Sequence, residues 1–272
     1  MKTSTQPDHR FQRDADKYAA YLNTPEGRLR LDLAFANLQE FLLPQQSKNS
    51  LHALDLGGGT GAAAVRLARL GFHVTLLDSS PEMLNLAEQA ARDAGVSDKV
   101  ALQHGDVARS AQLFQSESFN LILCHNLLEY VDDPDAVLRA AARLMRGSSA
   151  LLSLLVRNQA GEVFKAAIQA GDLAAANDGV TAEWGQESLH GGKVRLFRPD
   201  NLRTLLQAAS FEIIAERGVR VIADYLPPQV SRSDEYERIF ELERKLGRQA
   251  EIAGVARYIH VLARCVPQSR IV

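Results

Sequence analysis

Between residues 51 and 156 the chain alternates short apolar, β-rich runs with stretches whose apolar positions recur at helical spacing. Such alternation marks a parallel sheet covered by helices, because each parallel strand needs a crossover to return the chain to the same end of the sheet. Five strands are predicted: LHALDL (51–56), HVTLLD (73–78), VALQHGD (100–106), FNLILCH (119–125) and ALLSLLV (150–156). Helices are predicted over 60–70, 81–95, about 108–114 and 133–146, the last opening on Asp132, Asp133 and Asp135, where the helix dipole favours negative charge. The first 50 residues read as a helical prelude. Within GRLRLDLAFANLQEFLL (27–43), Leu31, Ala34, Leu38 and Phe41 fall on one face, so this helix is expected to dock on the core.

After the fifth strand the alternation stops. Residues 160–192 read as a helix followed by a long polar, glycine-bearing loop, a length that usually accompanies function. RPDNLRTLLQAA then reads as a capped helix, FEIIAERGVRVI as a strand, SRSDEYERIFELERKLGRQ as an amphipathic helix and YIHVLARC (258–265) as a final strand. The organisation predicted is a helical cover over 1–50 and an α/β domain over 51–272 with insertions at about 158–198 and 222–255.

Composition narrows the class without naming a function. With 46% hydrophobic and 24% charged residues in 272, the chain is globular. Thirty-one basic against 33 acidic side chains give a net charge of -2, which excludes holding nucleic acid by bulk charge but leaves room for a local patch. Residues 193–272 carry a net +4 and the preceding part -6, which places such a patch in the C-terminal part. The start, MKTSTQPDHRFQRDADKY, has no apolar leader segment, and the longest apolar run, ALLSLLV, is far shorter than the roughly 18 residues of a membrane span. A cytoplasmic protein without a membrane partner is expected. Cys124 and Cys265 are far apart and lie in apolar strands, so inert thiols are expected, with neither a disulfide framework nor a metal site.

The chemistry concentrates in LDLGGGTGAA (54–63), between a predicted strand and a predicted helix. Glycines there let the backbone turn tightly and approach a ligand with no Cβ in the way. Gly57, Gly59 and Ala62 also satisfy the dinucleotide fingerprint, and a turn without a ligand would look the same. Three acids at consecutive strand ends add weight. Asp55 lies at the tip of strand one, where it can reach a ligand amine or a loop amide. Asp78 closes strand two, where an acid can accept from both ribose hydroxyls. Asp106 closes strand three, within reach of an adenine amino group. Each could equally cap the helix that follows it. His125 sits just past strand four, as a ligand contact or a structural histidine, whereas His260 is expected in the core or its lining. Trp184 could stack on a base or pack locally.

These motifs, D-x-G-G-G-T-G with the D-S-S-P-E-M and H-G-D-V runs, resemble the class I S-adenosylmethionine-dependent methyltransferases. The resemblance implies an α/β Rossmann-like fold, a seven-stranded mostly parallel sheet with a reversed last strand, carrying a helical N-terminal cover and an insertion after strand five. It also implies S-adenosyl-L-methionine across the strand tips, with Gly57, Gly58 and Gly59 at the methionine moiety, Asp78 at the ribose, and Asp106 with Val107 at the adenine. A narrower resemblance, carried by EGRLR (26–30), ILCHNLLEYVDDP (122–134), RNQAG (157–161), GVRVIADYL (218–226) and ARYIHVLAR (256–264), is to the bacterial tRNA carboxymethoxyuridine methyltransferases. It implies tRNA as substrate, methylation of the carboxylate of a modified wobble uridine, and cofactor contacts from Arg30 and His125.

A carboxylate acceptor is already ionised, so it needs a guanidinium to hold one oxygen while the other attacks, rather than a base. Among Arg157, Arg195, Arg198, Arg220 and Arg257, the apolar flanks of Arg220 and Arg257 single them out as the candidate catalytic positioning pair. Two other readings compete: a methyltransferase for small-molecule carboxyl or hydroxyl groups with the 172–192 loop as a lid, and a non-catalytic S-adenosylmethionine-binding protein.

Overall fold

The computed structural model describes residues 14–42, 51–187 and 192–266. Its centre is a seven-stranded sheet built from β1 (His52–Leu56), β2 (His73–Asp78), β3 (Val100–His104), β4 (Leu121–His125), β5 (Leu151–Arg157), β8 (Phe211–Val219) and β9 (Tyr258–Cys265), while β6 (Trp184–Gln186) and β7 (Lys193–Arg195) form a separate hairpin. The order is β3-β2-β1-β4-β5-β9-β8, with β9 antiparallel to both of its neighbours and the other pairs parallel. Strand order reverses between β1 and β4. In an open parallel sheet this divergence leaves a crevice beyond the carboxyl ends of the strands, where ligands sit.

Local sequence accounts for the crossover helices. The helix α4 (Pro81–Asp93) begins on Ser80, whose hydroxyl accepts from the Met83 amide at 3.2 Å, and has Pro81 at its first position. Likewise α6 (Pro134–Leu144) is capped by Asp133, which accepts from the Ala136 amide at 2.9 Å. Before them come α1 (Ala15–Leu22), α2 (Pro25–Gln39) and α3 (Ala62–Arg69), and between them the short α5 (Ser110–Leu113). The strands β4 and β5 are buried almost throughout, as expected of the middle of a sheet covered on both faces.

Two expectations are corrected. The cover helix presents Arg30, Leu33, Ala34, Asn37 and Leu38 inward while Leu31 stays half-exposed, so its buried stripe is rotated from the apolar one and includes polar side chains. The stretch after β5 is also more structured than a long polar loop. It contains α7 (Gln159–Phe164), a single π turn over Lys165–Gln169, α8 (Leu173–Gly179) and the β6–β7 hairpin, with residues 188–191 outside the described ones. Alternation of apolar positions fails here because these short elements bury little; Leu173 and Val180 are exposed.

The chain then continues through α9 (Pro199–Ala208), α10 (Tyr236–Leu246) and α11 (Ala250–Ala253). Its tightest constraint follows β8. Arg220 adopts a left-handed backbone conformation, φ +60°, which is costly for a side chain with a Cβ. The fully buried Glu243 of α10 offsets that cost by accepting three successive amides, Val221 at 2.6 Å, Ile222 at 2.9 Å and Ala223 at 2.7 Å. Glu243→Ala orphans all three and is expected to lower stability by about 3 kcal/mol, the scale of hydrogen bonds to a charged group. Urea unfolding checks this; a loss below about 1 kcal/mol would show that the turn is held by other contacts.

Candidate active site

A cavity of about 1460 Å³ opens over the carboxyl ends of β1, β2 and β4, roofed by α1 and α2 and walled on the far side by the turn after β8 and by β9. Its near half is the glycine loop. Gly57 and Gly59 have φ +63° and +54°, and a Cβ on Gly57 would lie 2.8 Å from Leu127, so this backbone excludes other side chains. Asp78 pins the loop, its Oδ2 accepting from the Gly59 amide and its Oδ1 from the Ser80 amide, both at 2.9 Å. Burial pushes the Asp78 carboxyl upward against those amides. Asp106 lines the cavity while accepting from the Ala108 amide at 2.9 Å, so it caps a turn and faces the crevice together, with Val107 beside it.

Nine of the eleven residues singled out from the sequence line this cavity: Arg30, Gly57, Gly59, Asp78, Asp106, Val107, His125, Arg220 and Arg257. Asp55 and Gly58 do not. Asp55 is buried beneath the loop, and a Cβ on Gly58 would lie 2.9 Å from it and 2.5 Å from Leu76. Packing alone therefore excludes a side chain at Gly58. Burial, and secondarily the nearby Asp78, pushes the Asp55 carboxyl up to about 7, and its Oδ2 has no hydrogen-bond partner among the described residues.

The far half is a cluster of buried charge. Arg220 donates through Nε to Asp224 Oδ1 at 3.0 Å, through Nη2 to the same oxygen, and through Nη1 to the Tyr21 hydroxyl at 2.9 Å. Arg257 faces Asp224 at 3.1 Å and Glu162 at 3.2 Å and donates to the Gly161 carbonyl at 3.1 Å. Arg157 pairs with Glu162 at 3.2 Å and Glu187 at 2.8 Å. Arg30 differs: no carboxylate among the described residues faces it, and its guanidinium donates to the Tyr18 hydroxyl at 2.9 Å and lies 5.1 Å from the Tyr21 ring and 5.6 Å from that of Tyr258. Burial pushes the Tyr258 phenol up, but Arg30, Arg157, Arg220 and Arg257 outweigh it and bring it down to about 8.

Several of these residues escape sequence reasoning. Tyr21, Glu162, Asp224 and Tyr258 come from separate elements, and no spacing joins them. Glu129 has a local signal in HNLLEY. Asn126, at φ +51°, turns the chain after β4 and donates to Glu129 Oε1 at 3.1 Å, and the same oxygen accepts the Arg157 amide at 2.8 Å. Among the described residues no cluster of histidine, cysteine or carboxylate side chains could hold a metal ion, and no helix is long and apolar enough to cross a membrane.

The cavity fits a ligand bearing both charge signs. Carboxylates at Asp78, Asp106 and Glu129 suit hydroxyl and ammonium donors, the glycine backbone admits close approach, and Arg30, which no carboxylate among the described residues faces, offers a guanidinium for a carboxylate. Glu129 Oε2 is buried without a partner among the described residues, a polar atom that a ligand donor would satisfy. These are the groups of S-adenosylmethionine.

Residues 47–209 match the model of a family described as a methyltransferase domain. Over 97% of its length the chain is 33% identical to the tRNA 5-carboxymethoxyuridine methyltransferase of Escherichia coli (strain K12), covering 98% of that protein. It is 32% identical to the ubiquinone biosynthesis O-methyltransferase of Xanthomonas oryzae pv. oryzae (strain PXO99A), over 59% of this chain and 69% of that one. Among solved structures, the CcbJ methyltransferase of Streptomyces caelestis superposes with a TM-score of 0.64 at 17% identity, over 97% of this chain and 100% of that one. The [4+2]-cyclase SpnF superposes at 0.56 with 19% identity, over 86% and 80%, so this level of likeness speaks for the fold alone. The chain belongs to the methyltransferase domain family, and it is an S-adenosylmethionine-dependent methyltransferase with the Rossmann-like class I fold.

Proposed function

We propose that this enzyme methylates the carboxylate of a carboxymethoxy-modified uridine at the wobble position of tRNA, in the cytoplasm where that substrate resides. The observation that carries the reading is the near full-length identity to a relative named for that activity, which extends through both insertions that build the far half of the cavity. The buried guanidinium cluster supports it, because an anionic acceptor brought out of water needs fixed positive charge.

In this reading Arg30 and His125 meet the amino-acid end of the cofactor, Asp78 its ribose, and Asp106 with Val107 its adenine. When bound, S-adenosylmethionine supplies an electrophilic methyl group on a sulfonium, which an oxygen nucleophile takes in line, leaving a neutral thioether. The chain's residues provide position and exclusion of water rather than a base. Arg220 and Arg257 hold the acceptor carboxylate. Asp224 orients both of them, and a guanidinium has five N–H groups, so each keeps donors that the internal pairs do not use. Asp224 also limits the excess positive charge and so lowers the cost of burying both arginines.

The rim offers a place for the rest of the anticodon loop. Trp184 is half-exposed, with the Arg195 guanidinium 4.7 Å from its ring, and Lys165 and Lys193 line the mouth beside it. An aromatic face flanked by cations matches a stacked base between phosphates.

The direct test gives purified enzyme labelled S-adenosylmethionine and tRNA carrying unmethylated carboxymethoxyuridine. The expected product is one methyl group on the wobble nucleoside, released by mild alkali as an ester is; transfer only to small carboxylic acids would replace the tRNA reading. Asp78→Asn is expected to weaken cofactor binding roughly tenfold, the scale of a lost charge-assisted hydrogen bond, measured by calorimetry. Trp184→Ala should raise the KM for tRNA by about fivefold or more while leaving cofactor affinity alone. Arg220→Lys and Arg257→Lys keep the charge but lose the planar fork, and should depress kcat while sparing most tRNA affinity. Full turnover in both lysine variants would remove these arginines from acceptor binding.

A further inference from the structure

Beneath His125 a chain of four polar side chains crosses the middle of the sheet. His125 Nε2 lies 2.8 Å from Ser153 Oγ on β5, Ser153 Oγ lies 2.9 Å from His260 Nε2 on β9, and His260 Nδ1 lies 3.3 Å from Asn37 Nδ2 on the cover helix α2. The two imidazoles also meet edge to face, 5.4 Å between centroids. Ser153 and His260 are fully buried and Asn37 nearly so, whereas His125 is only half-buried and lines the cavity. Polar groups in a sheet centre are costly unless each hydrogen bond is made, and the chain runs from the cover helix to the ligand cavity.

The direction of the protons follows from one end. An amide nitrogen only donates, so Asn37 Nδ2 fixes His260 Nδ1 as an acceptor. A neutral imidazole carries one proton, so His260 holds its own on Nε2 and donates to Ser153. The serine hydroxyl then donates onward to His125 Nε2, which leaves the His125 proton on Nδ1, the nitrogen with no partner among the described residues. We propose that Asn37, His260 and Ser153 are positioning residues that hold His125 as the Nδ1–H tautomer, so that it offers the cavity a fixed, neutral hydrogen-bond donor for an oxygen of the bound cofactor. Neutrality is supported by the surroundings: burial, with Arg30 nearby, brings His125 down to about 3, and burial, His125 and Arg217 hold His260 well below its usual range.

The inference ties the cover helix to the site by a second route besides Arg30. It rests on the cavity being the cofactor site and is independent of the acceptor's identity. A donor locked in this way needs no reorganisation when the ligand arrives.

Long-range proton–nitrogen correlation spectra of the histidine side chains in the free wild-type protein test the assignment directly. The expected result is opposite tautomers: His125 protonated on Nδ1 and His260 on Nε2. A proton on His125 Nε2, or a doubly protonated ring at neutral pH, overturns the proposal whatever the substrate proves to be. Asn37→Leu removes the fixed donor without adding charge, and Ser153→Ala cuts the chain. In each, calorimetry with S-adenosylhomocysteine should show affinity lowered by roughly fivefold or more, the effect of losing one pre-set hydrogen bond. In Asn37→Leu the His260 signals should move from Nε2–H toward a mixture. Wild-type affinity in both folded variants, or an unchanged His260 tautomer in Asn37→Leu, would also overturn it. Loss of tRNA methylation with opposite tautomers intact would instead count against the acceptor reading alone.

Discussion

Burying a guanidinium is costly unless an acid answers it, and that cost organises the half of the molecule beyond β5. Arg157, Arg220 and Arg257 are each more than nine-tenths buried, and an isolated ion there would cost several kcal/mol. Glu162, Glu187 and Asp224 answer them, and two of these acids each serve two arginines. The acids lie on three separate stretches of chain, so the charge network ties α7, the β6–β7 hairpin and the turn after β8 around one cavity. Breaking such a network leaves an uncompensated charge, so these segments are held by ion pairs as well as by apolar contacts such as those of Val194, Val221 and Ala223.

The same network leaves Arg30 out. Its partners are tyrosine hydroxyls and ring faces, which solvate a guanidinium without neutralising it. With no carboxylate facing it among the described residues, Arg30 lines the cavity as a positive charge that suits an anionic group. Glu129 and Asp78 line the same cavity with the opposite sign. The cavity therefore presents both charge signs, which suits a zwitterionic ligand.

Pinning the site to both the sheet and the cover has a cost. Arg220 sits in a left-handed conformation and Glu243 spends a buried carboxylate on three amides to keep it there. Gly218 and Gly247 let α10 and α11 approach β8 closely enough for this, since a Cβ on Gly247 would come within 2.2 Å of the Gly218 carbonyl. Strain of this kind persists only where surrounding structure over-determines it, and it accompanies sites that must present a side chain in one direction.

Much of the central sheet was legible in the sequence because its signals are local. Alternating apolar runs, Ser80 and Asp133 as caps, and glycines at 57 and 59 act within a few residues of where they stand, and the acids at the ends of β2 and β3 fall in the crevice once the strands are parallel. The family resemblance, rather than a local signal, pointed to Arg30 and His125, which both line the cavity. Sequence could not separate Gly58 and Asp55 from their neighbours, since a loop glycine that lines the cavity and one packed against Leu76 look alike in the chain. Nor could it show that Arg220 and Arg257 share Asp224, that Tyr258 stands among four arginines, or that Asn37 reaches His125 through residues 153 and 260. Those pairings join residues far apart in the chain. They exist because β9 inserts between β5 and β8 and the cover helix lies across them, and only the folded sheet makes those neighbours.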